Sequence, residues 1–352
     1  MAQGVASAPV LRHEHAAQGG PPESGRSQRR EPHRHTYGAV DLGTNNCRLL
    51  IARPTDSGFT VIDAFSRIVR LGEGLARSGE LSQDAMDRAV GALGVCAEKL
   101  RRRNVSLSRS VATEACRRAR NGREFAERVR DETGIALDII DPSEEARLAV
   151  LGCHKLLEPG DGPALIFDIG GGSTELVLID QERGSPQIRA WWSAPWGVVS
   201  LTESEGKEAL EGPERLKAYM RMRERARRAF ANFTVMLPET REGIRLLGTS
   251  GTVTTLASVH LALPSYDRRA VDGLHVPIEA MQSISAMIAG LDYKERSALP
   301  CIGSERADLV VAGCALLEAI MEIWPARNLG IADRGIREGI LRSLMARDGW
   351  QL

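Results

Sequence analysis

The sequence predicts an α/β protein of two similar lobes, and three observations carry that prediction. Two hairpins share one pattern: an apolar strand ending in Asp, a turn of small residues, then a second apolar strand. They are YGAVDL to CRLLIARP (37–54) and ALIFDI to ELVLID (164–180), and Asp168 follows Asp41 by 127 residues. Strand-like segments alternate with helical periodicities after each hairpin. Pro159, Gly160, Gly162 and Pro163 form a linker just before the pattern restarts.

Residues 1–36 carry Pro9, Pro21, Pro22 and Pro32 and four of the seven histidines (His13, His15, His33, His35), with almost no apolar periodicity. They read as a disordered tail; weak metal affinity of the two His-x-His pairs is the alternative. Order is expected from Tyr37, with β-structure over 37–42, 47–54 and near 59–68. Ser82 fits as N-cap of a helix whose Met86, Val90, Leu93, Ala97 and Leu100 form one apolar stripe. SRSVAT (108–113) is strand-like and ends at Glu114. A helix carrying Phe125 and Val129 follows, then a strand over 135–140 and a helix from Ser143 to about Leu157. In the second half RLLGTSGTVTTLA (245–257) runs from strand into helix. A long helix is expected near 305–324 with Leu309, Leu316, Ile320 and Ile323 inward, and a last one over 335–346. The divisions are a tail (1–36), an N-terminal lobe (37–158) and a C-terminal lobe (159–337), with the final helix, about 338–352, packing back onto the first lobe.

The 352 residues are 43% apolar and 26% charged, enough for sizeable cores. Lys plus Arg and Asp plus Glu both total 46, so no cationic excess points to a nucleic-acid binder. No run approaches the ~18 apolar residues of a membrane span, and no apolar core of a signal peptide is present. A soluble, cytoplasmic protein without nucleic-acid or membrane partners is expected. The six cysteines show no zinc spacing and read as reduced thiols.

Turns of Gly, Ser and Thr let backbone N–H groups converge on an anion, and an Asp beside such a turn suits a divalent cation or a phosphate-bound water. One such turn is equally a plain hairpin. Two at matched positions, with a third entering a helix N-terminus, point to a phosphoryl-transfer site between the halves.

DLGTNNCRLL (41–50), DIGGGSTEL (168–176) and GTSGT (248–252) resemble the phosphate loops of the acetate kinase, Hsp70 and actin superfamily. ATEACRRARN (112–121), DPSEEARL (141–148), ERADLVVAG (305–313) and DRGIREGIL (333–341) resemble the exopolyphosphatase and guanosine pentaphosphate phosphohydrolase (Ppx/GppA) family within it. The resemblance spans about residues 37–345. It implies two actin-like (ribonuclease H-like) lobes with an interlobe cleft. It also implies Mg2+-dependent removal of terminal phosphate from inorganic polyphosphate, or of the 5′-terminal phosphate of pppGpp. A homodimer is among the assemblies it allows. The sequence stops shortly after GIREGIL, where longer relatives continue into a helical region, so a short two-domain form is expected. Asn46 and Cys47 stand where Ser and a small apolar residue are usual.

By that resemblance Glu114 orients or deprotonates water, with Glu145 in reserve or as a metal ligand. Each is also a plain first-turn helix acid. Asp41 and Asp168 are the expected Mg2+ ligands, direct or through water. Gly43, Thr44 and Asn45, with Gly170, Gly171, Gly172, Ser173 and Thr174, are expected to cradle phosphates. Gly248, Thr249, Ser250 and Gly251 (with Thr252) would take a distal phosphate or a nucleoside. Arg48 and Arg306 are candidate phosphate forks, with ion pairing as the alternative. Trp191, Trp192 and Trp196 read as core packing rather than base stacking. The basic segment Arg215–Arg228 reads as a solvated helix face or a polyanion track. Two other functions stay open: a ppGpp- or polyphosphate-binding regulator with little turnover, and an ATP-dependent kinase of the same superfamily.

Overall fold

The computed structural model describes residues 35–182, 185–239 and 242–350. The expected disordered tail lies, apart from His35 and Thr36, outside the described residues.

The first sheet contains β1 (Tyr37–Leu42), β2 (Asn46–Thr55), β3 (Gly58–Ile68), β4 (Leu107–Ala112) and β5 (Leu137–Ile139) in the order β3-β2-β1-β4-β5. The first three strands are antiparallel neighbours, whereas β4 and β5 add in parallel to β1. The second sheet contains β6 (Ala164–Ile169), β7 (Thr174–Glu182), β8 (Ser185–Ala194), β9 (Arg245–Thr249), β10 (His275–Pro277) and β11 (Asn328–Ala332). Its order, β10-β11-β9-β6-β7-β8, repeats the first with β10 added at one edge. β6, β7 and β8 form the meander, and β9 and β11 add in parallel. Helical crossovers join the parallel strands, as their geometry requires.

The helix Gln83–Arg102 begins where expected, with Ser82 Oγ accepting from Ala85 N at 3.3 Å. Its stripe packs with Val40, Leu49, Phe125 and Val129 beneath the first sheet. The helix Pro142–Cys153 starts a residue earlier than expected. Asp141 caps it by accepting from Glu144 N at 2.9 Å, and Pro142 fits the first turn because its missing donor is not needed there.

This helix faces both lobes. Leu148 and Ala149 pack with Tyr37, Leu50 and the C-terminal helix Ile336–Arg347, while Ala146, Val150 and Cys153 pack with Ile166 and Val177 of the second sheet. Two glycines let the helices touch: a Cβ on Gly152 would lie 2.0 Å from Gly335 O, and one on Gly339 2.0 Å from Leu148 O. The C-terminal helix thereby lies against β1.

β8, β10, β11 and the helix Ile278–Gly290 had no counterpart in the sequence reading. The helix expected over 305–324 is two, Gly303–Arg306 and Val310–Ile323, and the break leaves Arg306 and Leu309 at the cleft. All six cysteines are free. Among the described residues no helix is long and apolar enough to cross a membrane.

Candidate active site

Strand register places Asp41 across from Arg48, and Asp168 across from Glu175. Each Asp is the next-to-last residue of the central strand of its sheet, and both line one cavity of about 150 Å3 between the lobes. An arrangement with the two aspartates opening onto unrelated surfaces would have ended the phosphoryl-transfer reading; they share a wall.

The turns after them have matching geometry. Gly43 N donates to Asn46 O at 2.9 Å, and Gly170 N donates to Ser173 O at 3.0 Å. Behind the first turn, Thr44 O accepts from Gly72 N, and Asn45 O from Val69 N and Arg70 N. Behind the second, Gly170 O accepts from Val198 N, and Gly171 O from Val199 N and Ser200 N. With the carbonyls engaged on the far side, the amides of Thr44, Asn45, Gly171 and Gly172 find no protein acceptor among the described residues. That is an anion-binding nest in each lobe. The nests abut: a Cβ on Gly171 would lie 2.9 Å from Thr44 Cβ, and one on Gly172 2.8 Å from Thr44 Oγ1.

Glu114 opens a short helix directly after β4, and its Cγ lies 2.9 Å from the position of a Cβ on Gly172. The Arg117 guanidinium holds two carboxylates at once, Glu114 Oε2 at 2.8 Å and Glu145 Oε2 at 3.1 Å, and also donates to Ile140 O at 2.8 Å. Arg117 and Glu175 were not singled out from sequence. Glu175 accepts from Ser173 Oγ at 2.7 Å and Ser193 Oγ at 2.9 Å, and it lies inside the DIGGGSTEL motif, two residues past the turn.

Burial raises the Asp41 carboxyl above the usual range, with Arg48 and Arg337 pulling it back. Burial, then Glu175 and Asp41, pushes Asp168 up to about 8. Glu145 is raised by burial and by Glu175, against the pull of Arg117, and burial raises Glu175. Several buried carboxylates with too little positive charge around them are the condition a bound cation relieves.

Among the described residues no three His, Cys, Asp or Glu side chains converge tightly enough to enclose a metal by themselves. The donors are nevertheless hard carboxylate oxygens beside two phosphate nests. This chemistry fits Mg2+, which keeps several waters and completes its shell with substrate oxygens.

The third glycine segment sits where the second sheet repeats the β4–Glu114 connection. Ser250 has φ 136°, a value costly for a residue with a side chain. It caps the helix Gly251–His260, accepting from Thr252 N at 3.2 Å. A Cβ on Gly251 would lie 3.9 Å from Arg48 Nη2, so Arg48 reaches across from the other lobe. Arg306 Nη1 donates to Thr255 Oγ1 at 2.6 Å at the cleft wall.

Of the expected residues, Asp41, Gly43, Thr44, Asn45, Arg48, Glu114, Glu145, Asp168, Gly170–Ser173, Ser250, Gly251 and Arg306 line this cavity. Three do not. Thr174 is fully buried, its Oγ1 donating to Trp196 O at 2.7 Å, because strand alternation gives the cleft face to Glu175 instead. Gly248 lies within β9, where a Cβ would meet the Phe167 ring at 2.5 Å. Thr249 Oγ1 is turned away to donate to Arg334 O at 2.8 Å. Asn46 lines the cleft, while Cys47 is buried with its Sγ 3.9 Å from Cys96 Sγ.

The tryptophans stand away from the cleft. Trp192 Nε1 donates to Ala229 O, and Trp192 and Trp196 pack on the second-lobe core. The basic segment lies in the helix Arg215–Thr234, where Arg221 and Arg225 pair with Glu205, Arg223 with Glu318 and Glu322, and Arg228 with Glu224. These ion pairs are what a solvated, ion-paired helix face shows, although the bases of the segment outnumber the acids that pair with them.

The family model of the Ppx/GppA phosphatase family matches residues 50–348. "Exopolyphosphatase 2" of Mycobacterium tuberculosis is 31% identical over 323 residues, covering 87% of this chain and 97% of its own length. The "Guanosine-5'-triphosphate,3'-diphosphate pyrophosphatase" of Aeromonas hydrophila is 26% identical over 324 residues, 89% of this chain and 60% of that protein. A solved Ppx/GppA family member of Aquifex aeolicus superposes with TM-score 0.73 at 29% identity, covering 90% of this chain and 99% of that one. An exopolyphosphatase structure from Cytophaga hutchinsonii gives TM-score 0.79 at 23% identity over 90% of this chain and 99% of that one, a likeness of fold.

Proposed function

The chain belongs to the Ppx/GppA phosphatase family, and from that premise we propose that it hydrolyses terminal phosphoanhydride bonds of inorganic polyphosphate, and of pppGpp to give ppGpp, with Mg2+ as cofactor. The observation that carries this reading is the convergence of Asp41, Asp168 and both nests on one cavity.

The terminal phosphate is held by the amides of Thr44 and Asn45 from one side and of Gly171 and Gly172 from the other. Arg48 and Arg306 offset the charge on its oxygens, where fixed donors act most strongly on a transition state. Glu114 orients a water in line with the bridging bond and takes its proton. The water oxygen bonds to the terminal phosphorus, the bridging P–O bond breaks, and its electron pair leaves with the shortened chain. Arg117 keeps the Glu114 carboxylate aimed. Mg2+, held through Asp41, Asp168 and Glu145 directly or by way of water, supplies neutralisation of the phosphate oxygens.

Phosphate release from polyphosphate and from pppGpp, by the protein and by Glu114→Ala, tests the reading. Release from at least one substrate, lost in the variant, is expected. A protein that releases phosphate from neither removes the assignment.

A further inference from the structure

Asp41, Arg48, Asp168 and Ser250 form a partition with a cavity on each side. The nests open on one side only, into the reaction cleft. On the other side lies a narrow cavity of about 40 Å3, lined further by Asp333, Arg334 and Arg337. It has room for roughly three waters, which suits one tetrahedral anion and no nucleoside. The partly exposed side chains of Asp333 and Arg334 carry it out to solvent.

The charges on this lining divide into committed and uncommitted ones. Asp333 pairs with Arg268 at 3.1 Å, and Arg334 with Asp272 at 2.7 Å. Arg48 and Arg337 have no hydrogen bond or ion pair among the described residues. Both charges reach Asp41, whose carboxyl burial raises and they draw down. A guanidinium carries donors alone, so one left unpaired beside a cavity is ready for an anion. Arg48 lines both cavities and Arg337 only the outer one, so they are successive cations from the nests to solvent.

Cleavage at a chain end leaves two products in one cleft. The shortened polymer still fills the leaving-group side, and orthophosphate at the nests cannot pass it while the polymer stays bound. We propose that the cavity beside Arg337 is the exit for orthophosphate, with Arg48 handing the anion across the partition and Arg337 drawing it outward. Without Arg337 the outer wall keeps no uncommitted cation, and the aspartates on the lining repel the departing anion. The inference rests on the reading of the cleft given above and adds the route by which its small product leaves.

First-turnover and steady-state phosphate release by the full chain, Arg337→Ala and Arg337→Lys test it, on long polyphosphate and on tripolyphosphate. Arg337→Ala is expected to slow steady-state release from long polyphosphate about tenfold or more, the scale of one hydrogen bond to a charged group. The first turnover should fall far less, so that a burst of phosphate precedes the slow phase. Tripolyphosphate leaves a short product that clears the mouth by itself, so the loss on the long polymer should be at least about fivefold the larger. Arg337→Lys should recover most of the rate, because the exit asks for charge rather than a planar fork. Added orthophosphate should inhibit the parent without competing with long polyphosphate, and about tenfold more weakly in Arg337→Ala. Equal loss on both substrates, or a first turnover slowed as much as the steady state, overturns the inference. Purely competitive inhibition of the parent by orthophosphate overturns it too. Failure of the hydrolytic reading is separate and shows as a parent that releases phosphate from neither substrate. Calorimetry with orthophosphate still reads the cavity in that case, and binding unchanged in Arg337→Ala overturns the exit by itself.

Discussion

Arg48 and Glu175 occupy equivalent places in the two lobes, each directly across the hairpin from its aspartate. The repeat therefore carries opposite charge at one position. Arg48 is the cation that draws down both Asp41 and Asp168, and it also approaches the third glycine segment. Arg48→Ala is expected to lower kcat/KM for phosphate release by about 100-fold or more. Arg48→Lys should recover only part, because an ammonium does not reproduce a planar fork. A variant within threefold of the parent would take Arg48 out of the mechanism.

Arg117 holds Glu114 and Glu145 together, so removing Glu114 itself and removing the cation that aims it are predicted to differ in size. Glu114→Gln should reduce kcat by roughly 100- to 10,000-fold with little change in KM, the range for a general base. Arg117→Ala should reduce kcat less, about 10- to 100-fold, because the carboxylate stays in place but loses its aim. Equal effects on KM and kcat would mark Glu114 as a binding group only.

Metal removal gives a third check. Chelation of Mg2+ is expected to abolish phosphate release, with recovery on adding Mg2+ back. Asp168→Asn should raise the Mg2+ concentration needed for half activity at least about tenfold. Full activity in excess chelator would contradict the assignment of the aspartates.

The crossing of the helices Pro142–Cys153 and Ile336–Arg347 depends on bare backbone. Gly339→Ala puts a methyl 2.0 Å from Leu148 O and should cost about 3 kcal/mol, lowering Tm by roughly 6 °C or more. Gly91→Ala, with nothing within 4 Å in the helix Gln83–Arg102, should stabilise by about 0.5–1 kcal/mol. Scanning calorimetry that finds the two variants alike would discount the close crossing.

Asp63 gives a pH prediction away from the cleft. Lys99 at 2.7 Å and Arg103 at 2.8 Å hold its carboxyl down to about 2. Its folded value lies below the unfolded one of about 3.9, so between these values the unfolded chain binds more protons. The stabilisation is present above about pH 4 and is lost as pH falls through 2. Its partners reach solvent, which limits it to the order of 1 kcal/mol. The stability difference between parent and Asp63→Asn should grow from near zero at pH 2 to that size at pH 5; a constant difference would refute the coupling.

The α/β class, the repeated hairpin, the cap at Ser82 and most cleft residues were readable in the linear chain. Strand alternation, turn chemistry and capping are local, and a repeat displays itself twice. β10, β11 and the division of the 305–324 helix were not readable. β10 has only three residues, and β11 gains its identity from lying parallel to β9.

The same boundary runs through the site. Turn composition pointed to phosphate, and Asp41 and Asp168 stood out because each ends an apolar strand. Pairing decided which side chains face the cleft, giving Glu175 its wall and hiding Thr174 against Trp196. Arg117 shows the difference most clearly: as a letter it is one of many arginines. Its work in holding Glu114 beside Glu145 exists only when β4 delivers one acid and the helix Pro142–Cys153 the other, since electrostatic coupling depends on distance through space.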